Sequence, residues 1–360
     1  MKRIAINGFG RIGRTALRLI TKIENIEVVA INDLTDPLQL AYLYKYDSVH
    51  RTIEDKVTYE DDSIIINGKP IKVYKESDPS KLPWKELNID IVLECTGVFT
   101  SKEKCQAHID AGAKKVIISA PAKDDAKTIV YNVNDEILED TDQIISCASC
   151  TTNCLAPVVN LLHKNYGIEK GFMSTVHAMT NDQETLDIPH KKGIESRRGR
   201  AASLNIIPTS TGAASQIGKV IPELNGLLDG VAFRVPVGDG SLLDITVELK
   251  NKATKEEINK MFKENQNETI KITNAPIVSS DIIGNEAGAI VDAALTNIIE
   301  KDDKVLAKVV AWYDNEVGYT AQMIRTISKI WWSNQTIEWT IVFSLKIYFT
   351  LILQFLRKVI

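Results

Sequence analysis

Short β-branched apolar runs alternate with longer amphipathic stretches through the first 150 residues. The runs Arg3 to Asn7, Glu27 to Asn32, Ile89 to Glu94, Lys115 to Ser119 and Ile144 to Ser146 predict buried strands. Between them, Arg11 to Lys22, Pro37 to Tyr46 and Lys102 to Ala113 predict helices; in the first, Ala16, Leu17, Leu19 and Ile20 make a broad apolar face. Asn67-Gly68 between Ile64-Ile65-Ile66 and Ile71-Lys72-Val73 predicts a hairpin, because Asn-Gly fits a type I′ turn. Repeated strand, helix, strand order implies a parallel, doubly wound sheet. The second half has another texture. Phe172 to His177, Val231 to Val235 and Leu242 to Leu249 predict strands, and the last alternates like a one-sided antiparallel strand. Lys255 to Asn265 and Val317 to Lys329 predict helices, and Asp182 to Ala202 is a long polar stretch carrying Arg197, Arg198 and Arg200. A loop of that length in a compact domain is usually functional.

Composition narrows the class. The chain has 360 residues, 44% hydrophobic and 25% charged, which suits about two globular domains; the change of texture places their boundary near Cys150. Net charge −4 gives no basic footprint for nucleic acid, and no dedicated nucleic-acid site is expected. Five cysteines with a single C-x-x-C, Cys147 to Cys150, and no second one to pair with it disfavour a disulfide scaffold and a structural zinc site, so no residue is assigned to a metal. Met1-Lys2-Arg3 runs straight into a strand, with no secretory pattern, and a cytoplasmic location is expected.

Two segments carry candidate chemistry. Gly8-Phe9-Gly10-Arg11-Ile12-Gly13 is a G-x-G-x-x-G that follows a strand and opens a helix. In that context Gly8 makes the tight turn, Gly10 lets backbone approach a pyrophosphate, and Gly13 lets helix and strand pack closely. Asp33 ends the second strand, where a carboxylate accepts from adenosine ribose hydroxyls and repels a 2′-phosphate, favouring NAD over NADP. The second segment, Ser149-Cys150-Thr151-Thr152-Asn153-Cys154, lies between a strand and a helical pattern with Leu155, Val158, Val159 and Leu162 on one face. A cysteine at a helix N-terminus has its thiolate stabilised by free N–H groups. Pro157 either kinks that helix or begins its regular part. Cys95, Cys105, Cys147 and Cys154 fit small buried hydrophobes. Of five histidines, His177 alone ends a strand and is the candidate base.

The segments Ile6 to Arg14, Ala148 to Pro157, Thr175 to Ala178, Ile207 to Ala214 and Trp312 to Glu316 together resemble the glyceraldehyde-3-phosphate dehydrogenase family over roughly residues 2–330. The resemblance implies an α/β fold: a Rossmann-type doubly wound parallel sheet with an α+β catalytic domain built on a mixed or antiparallel sheet. It implies an NAD-binding domain over 1–150, a catalytic domain over 151–315 and a C-terminal helix over 316–330 that returns to the first domain. It makes Cys150 the nucleophile and His177 its base, paired as thiolate and imidazolium. Gly8, Gly10, Arg11, Ile12, Gly13, Asp33, Thr96, Ser119 and Asn315 become cofactor contacts, and Pro189 joins Asp33 in the NAD-preferring pattern. Thr180, Asp182 and Arg234 match the site for the substrate's phosphate. Ser149, Thr151, Thr211 and Gly212 match the site for inorganic phosphate. The implied reaction is NAD-dependent oxidative phosphorylation of glyceraldehyde 3-phosphate, by a homotetramer whose Arg-rich loop contacts a neighbouring subunit's cofactor region. A sister activity on erythrose 4-phosphate, or a non-enzymatic surface or membrane role, stands as the alternative.

The chain departs from the family pattern at three places. The Arg-rich loop around Lys192 to Arg198 is longer, Val237-Gly238-Asp239-Gly240 is unusual after Arg234, and about thirty residues follow the last helix. In that tail, Trp331, Trp332 and Trp339 precede an apolar run, Ile341 to Leu356, broken by Lys346. A membrane span needs ~20 apolar residues. The tail is therefore expected to be an appended segment, translated from a shifted or extended reading frame, outside the catalytic fold; a real anchor or interaction tail is the alternative.

Overall fold

The computed structural model describes residues 1–190 and 193–330. Lys191, Lys192 and the 331–360 tail lie outside the described residues, so the expectations for the tail and for that stretch of the Arg-rich loop are not addressed by it.

The first half runs β1 (Lys2–Asn7), α1 (Arg11–Ile20), β2 (Ile26–Asn32), α2 (Pro37–Lys45), β3 (Val57–Glu60), β4 (Ser63–Ile66), β5 (Lys69–Tyr74), β6 (Ile91–Glu94), α3 (Lys102–Asp110), β7 (Lys115–Ile118), β8 (Lys127–Thr128) and β9 (Ile144–Ser146). The strands form one sheet in the order β3-β4-β5-β2-β1-β6-β7-β9-β8. From β5 to β8 every pairing is parallel. The Asn67-Gly68 hairpin joins β4 to β5 antiparallel, and β3 extends that edge. Chain order reverses at β1, with β2 on one side and β6 on the other. That is the switch point, and ligands of such sheets bind outside the strands' carboxyl ends there.

The second half runs α4 (Cys150–Tyr166), β10 (Ile168–His177), β11 (Ile207–Ser210), α5 (Ala213–Val220), β12 (Leu228–Arg234), β13 (Ser241–Leu249), α6 (Lys255–Glu264), β14 (Ile270–Thr273), β15 (Ala289–Asp292), β16 (Asn297–Lys301) and β17 (Lys304–Tyr313), then α7 over 317–330. Its mixed sheet has the order β11-β12-β10-β13-β17-β15-β14, with β16 on β17. Burial alternates strictly along β13, as a sheet with one open face requires. The inner face shares its core with α4, α5 and α6 through Leu155, Val159, Ile217 and Phe262. Helix α7 leaves this half. Its Val317, Ala321, Met323, Ile324, Ile327 and Ile330 join Ile4, Ile6, Leu17 and Ile91 in a core of the first sheet. The fold is a Rossmann-type NAD-binding unit plus a second unit on a mixed sheet, as the sequence implied.

Candidate active site

The glycine turn sits at the switch point. Gly8 has φ +91°, and a Cβ there would lie 2.7 Å from the Thr96 backbone nitrogen. A Cβ on Gly13 would lie 2.2 Å from the Gly8 carbonyl oxygen, so only glycine lets α1 approach the turn this closely. Gly10 caps α1, and the space its Cβ would enter is open. The free N–H groups of Arg11 and Ile12 then face an anion site of the ordinary helix N-terminal kind. The Arg11 side chain is committed elsewhere. Its guanidinium bonds Asp47 and both oxygens of Glu316, so its backbone is what it offers a cofactor. Asp33 accepts the Phe9 N–H at 2.8 Å through Oδ2 and the Thr35 N–H at 3.0 Å through Oδ1. It is half-buried, which leaves lone pairs for sugar hydroxyls. Thr96 is exposed just beyond β6, and the Ser119 N–H bonds the Glu94 carbonyl at 3.0 Å. These groups fit a dinucleotide lying across the crevice.

Cys150 is the first residue of α4. Ser149 caps that helix, its Oγ accepting the Thr152 N–H at 3.1 Å. The approach is tight: Ala148 has φ +57°, and the buried Asn153 side chain bonds the carbonyls of Cys147 (2.8 Å) and Ser149 (3.0 Å). Pro157 neither starts nor breaks α4, which runs through it.

His177 ends β10 and places Nε2 3.3 Å from Cys150 Sγ. Its Nδ1 lies 2.8 Å from the Ala178 carbonyl oxygen and 2.8 Å from Arg234 Nη1. Parallel pairing of β10 with β12 sets His177 directly opposite Arg234. The same Arg234 nitrogen donates to the Ala178 carbonyl and to Thr180 Oγ1, each at 3.0 Å. Thr180 bonds Asp182, which also holds Arg198. Thr180, Asp182 and Arg234 thus meet beside the histidine, with Arg198 as a second cation.

Burial raises the Cys150 thiol above its ordinary range, opposed by the Arg234 charge and the Thr151 bonds. His177 falls to about 3, through burial first and Arg234 second. Burial thus favours the neutral thiol and the neutral imidazole in the unliganded pair, and works against the expected ion pair. Both ions would lose hydration without a matching gain.

The phosphate-site residues are distributed unevenly. Thr151 is buried, and its hydroxyl is tied to Tyr313 at 3.0 Å, which also bonds Thr175 at 2.7 Å; only the Thr151 backbone points to the helix N-terminus. Thr211 accepts the Ala213 N–H at 3.2 Å where α5 begins, and Gly212 caps α5, a helix that packs against α4. Asn315 is buried with Oδ1 accepting from Ser241 Oγ at 2.6 Å, and that oxygen accepts the Ala178 N–H at 3.0 Å. Ser241 so links the histidine strand to Asn315. Sequence reading gave no individual role to Ser241, Tyr313 or Asn153, and named Arg198 only within the Arg-rich loop. A polar residue on an alternating strand was the only signal for the first, and none marked Tyr313 or Asn153.

Comparison with known proteins places both halves of the chain in one family. The family model for the glyceraldehyde 3-phosphate dehydrogenase NAD binding domain matches residues 2–102, and that for its C-terminal domain matches residues 149–315. The chain is 56% identical over 327 residues to a glyceraldehyde-3-phosphate dehydrogenase of Clostridium pasteurianum, covering 91% of this chain and 98% of that protein. It is 56% identical over 328 residues to that of Clostridium acetobutylicum, with the same coverage. With that of Streptococcus pyogenes it shares 51% over 326 residues, 90% of this chain and 97% of the relative. A glycine turn built for a dinucleotide, a thiol–imidazole pair beside two arginines, and matched family models for both halves converge: the chain belongs to the glyceraldehyde 3-phosphate dehydrogenase family of NAD-dependent enzymes.

Proposed function

We propose that the chain converts D-glyceraldehyde 3-phosphate and inorganic phosphate to 1,3-bisphosphoglycerate, in glycolysis. The observation that carries this is Cys150 Sγ at 3.3 Å from His177 Nε2, on a helix N-terminus flanked by Arg234. The thiol proton passes to Nε2 as sulfur bonds the aldehyde carbon. The Cys150 backbone N–H and the protonated histidine stabilise the oxyanion. NAD, when bound, accepts the hydride that leaves this carbon. His177 first returns its proton to the oxyanion, giving a hemithioacetal hydroxyl, and takes it back as the hydride leaves, so that a thioester on Cys150 remains. A phosphate oxygen then attacks the thioester carbon, the C–S bond breaks, and the Cys150 thiolate leaves with the acyl phosphate complete.

Arg234 and Thr180 fit the substrate's phosphate, with Asp182 holding Arg198 in place beside them. Ser149, the Thr151 backbone, Thr211 and Gly212 lie at two helix N-termini, which suits the attacking phosphate. Gly8, Gly10, Arg11, Ile12, Gly13, Asp33, Thr96, Ser119 and Asn315 are read as the cofactor's contacts. The working units are residues 1–150, 151–315 and the returning helix 316–330. Phe172, Val176 and Val231 leave apolar side chains exposed on the open face of the second sheet, supporting assembly of copies there as a homotetramer. No helix among the described residues is long and apolar enough to cross a membrane; the site of action is read as cytoplasmic.

The test is NADH formation from glyceraldehyde 3-phosphate with and without phosphate. Sustained turnover should require phosphate and should exceed that on erythrose 4-phosphate. Equal rates without phosphate, or a preference for the tetrose, overturn the reading.

A further inference from the structure

Under the cofactor crevice, buried side chains form a ribbon across three adjacent strand ends, in the order β2, β1, β6, and meet the backbone just beyond β5. Asn32 ends β2, and its Nδ2 donates to the Glu76 carbonyl at 2.8 Å and to Asn7 Oδ1 at 2.7 Å. Asn7 ends β1, and its Nδ2 donates to Glu94 Oε2 at 2.5 Å. Glu94 ends β6 and is 1% exposed. Its other oxygen, Oε1, accepts the Thr96 N–H at 2.8 Å and the Thr96 hydroxyl.

His108 completes the set. Trp84 Nε1, a donor only, lies 3.0 Å from His108 Nδ1. Nδ1 therefore accepts, the ring is neutral, and its proton sits on Nε2, which faces Glu94 Oε2 at 3.3 Å. Every group around Glu94 is then a donor: the Thr96 N–H and hydroxyl, the Asn7 amide and the His108 N–H. Only an acceptor on both oxygens satisfies them, which means an ionised carboxylate. Charge-assisted bonds of this kind are stronger than neutral ones and hold their partners more tightly.

We propose that Glu94 is a positioning residue for the dinucleotide. Its carboxylate fixes Thr96 at the crevice mouth and, through Asn7, the start of the Gly8 turn. Those two features already lie so close that a Cβ on Gly8 would meet the Thr96 nitrogen. The proposal rests on the reading of Thr96 and the glycine turn as cofactor contacts. It predicts that the charge at residue 94 acts on cofactor binding and leaves the thiol chemistry on the other unit alone.

The experiment compares Glu94→Gln with the double variant that combines Asn7→Asp and Glu94→Gln. In the single variant an amide NH₂ meets donors. In the double variant the roles exchange: the new amide at position 94 donates to the new carboxylate at position 7. The His108 N–H, whose nitrogen is 3.4 Å from Asn7 Nδ2 in the wild type, also finds that carboxylate. Glu94→Gln should raise KM for NAD roughly 10- to 100-fold, the loss of one charged hydrogen bond at about 1.5–3 kcal/mol. KM for glyceraldehyde 3-phosphate and kcat at saturating NAD should stay within about twofold. The double variant should recover most of the loss. Glu94→Asp, which keeps the charge but shortens the reach, gives the same split with a smaller rise, and it serves if the Gln variant does not fold. An unchanged KM for NAD, or an equal loss in both KM values and kcat without rescue, overturns the proposal. Thr96→Val separates the two readings. If it leaves KM for NAD unchanged while Glu94→Gln raises it, the Thr96 assignment fails and Glu94 acts through Asn7 and the turn.

Discussion

Charge is expensive at Cys150 and His177, the pair proposed to carry the chemistry, and that sets how they respond to pH. With the Cys150 thiol raised by burial, thiolate in the unliganded protein appears only as pH climbs past the ordinary thiol range. Alkylation of Cys150 by iodoacetamide should therefore show a midpoint above about 8.5. Arg234→Leu should move it higher still, because the cation that favours thiolate is gone. A wild-type midpoint below pH 7 would restore the resting ion pair. Cys150→Ser should abolish turnover while NAD still binds, since the glycine turn and Asp33 stand on the other sheet. Asp239 poses the opposite problem. It is fully buried and faces Asp314 and Glu316, with His50 Nε2 3.5 Å away. Burial, then those two carboxylates, raises it to about 9. The native state thus keeps a proton that the unfolded chain releases near pH 4. Stability from this group is full below that value, falls as pH rises through the interval and is lost above 9. Asp239→Asn should raise the thermal midpoint at pH 8, by roughly 2–4 °C per kcal/mol relieved, with the gap closing toward pH 4. A constant gap across that range would show that the proton is not involved. The positions of Cys150, His177 and Asp33 were legible because each sits at or next to a strand or helix end. Asp239 stood out only as a departure, because its burial depends on a loop nearly two hundred residues away.

Elements whose pattern is purely local were readable, and elements whose pattern is set by partners were not. The parallel strands β1, β2, β6, β7 and β9 are covered on both faces, so each shows as a continuous apolar run. Strand β3 is an exposed edge, and β16 has one half-buried residue among five, so neither has an apolar signature. Strand β17 mixes exposed lysines with a buried end and reads equally well as a helix. The sequence put Cys150 at the head of a helical pattern but left open whether Pro157 began its regular part; Ser149, a strong cap residue, starts α4 at Cys150. That cap matters for more than folding, since it holds the first turn on which Cys150 is presented. Ser149→Ala should cost about 1 kcal/mol of stability by urea unfolding. If the helix N-terminus also holds the attacking phosphate, KM for phosphate should rise while KM for NAD does not. A variant with full stability would show that Asn153 alone secures the turn.

At the scale of the molecule, α7 decides where the chain can be cut. It carries six apolar side chains from the second unit back into the core beneath the first sheet. Fully burying a large aliphatic side chain is worth about 1.5–3 kcal/mol, and a whole protein is stable by only about 5–15 kcal/mol. Removing α7 would therefore unfold the first unit and the cofactor crevice with it. Its last contribution is Ile330, 7% exposed in that core. The match to the Clostridium pasteurianum relative spans 327 residues, 91% of this chain and 98% of that protein. Residues 331–360 add three tryptophans and an apolar run, a composition that favours association between chains. Truncation after Ile330 should keep phosphate-dependent turnover within about twofold. It should also increase the soluble fraction on expression. Truncation after Glu316 should instead abolish NAD binding and lower the thermal midpoint sharply. If the 1–330 protein behaves like the 1–316 protein, the tail is part of the fold and not an appended segment.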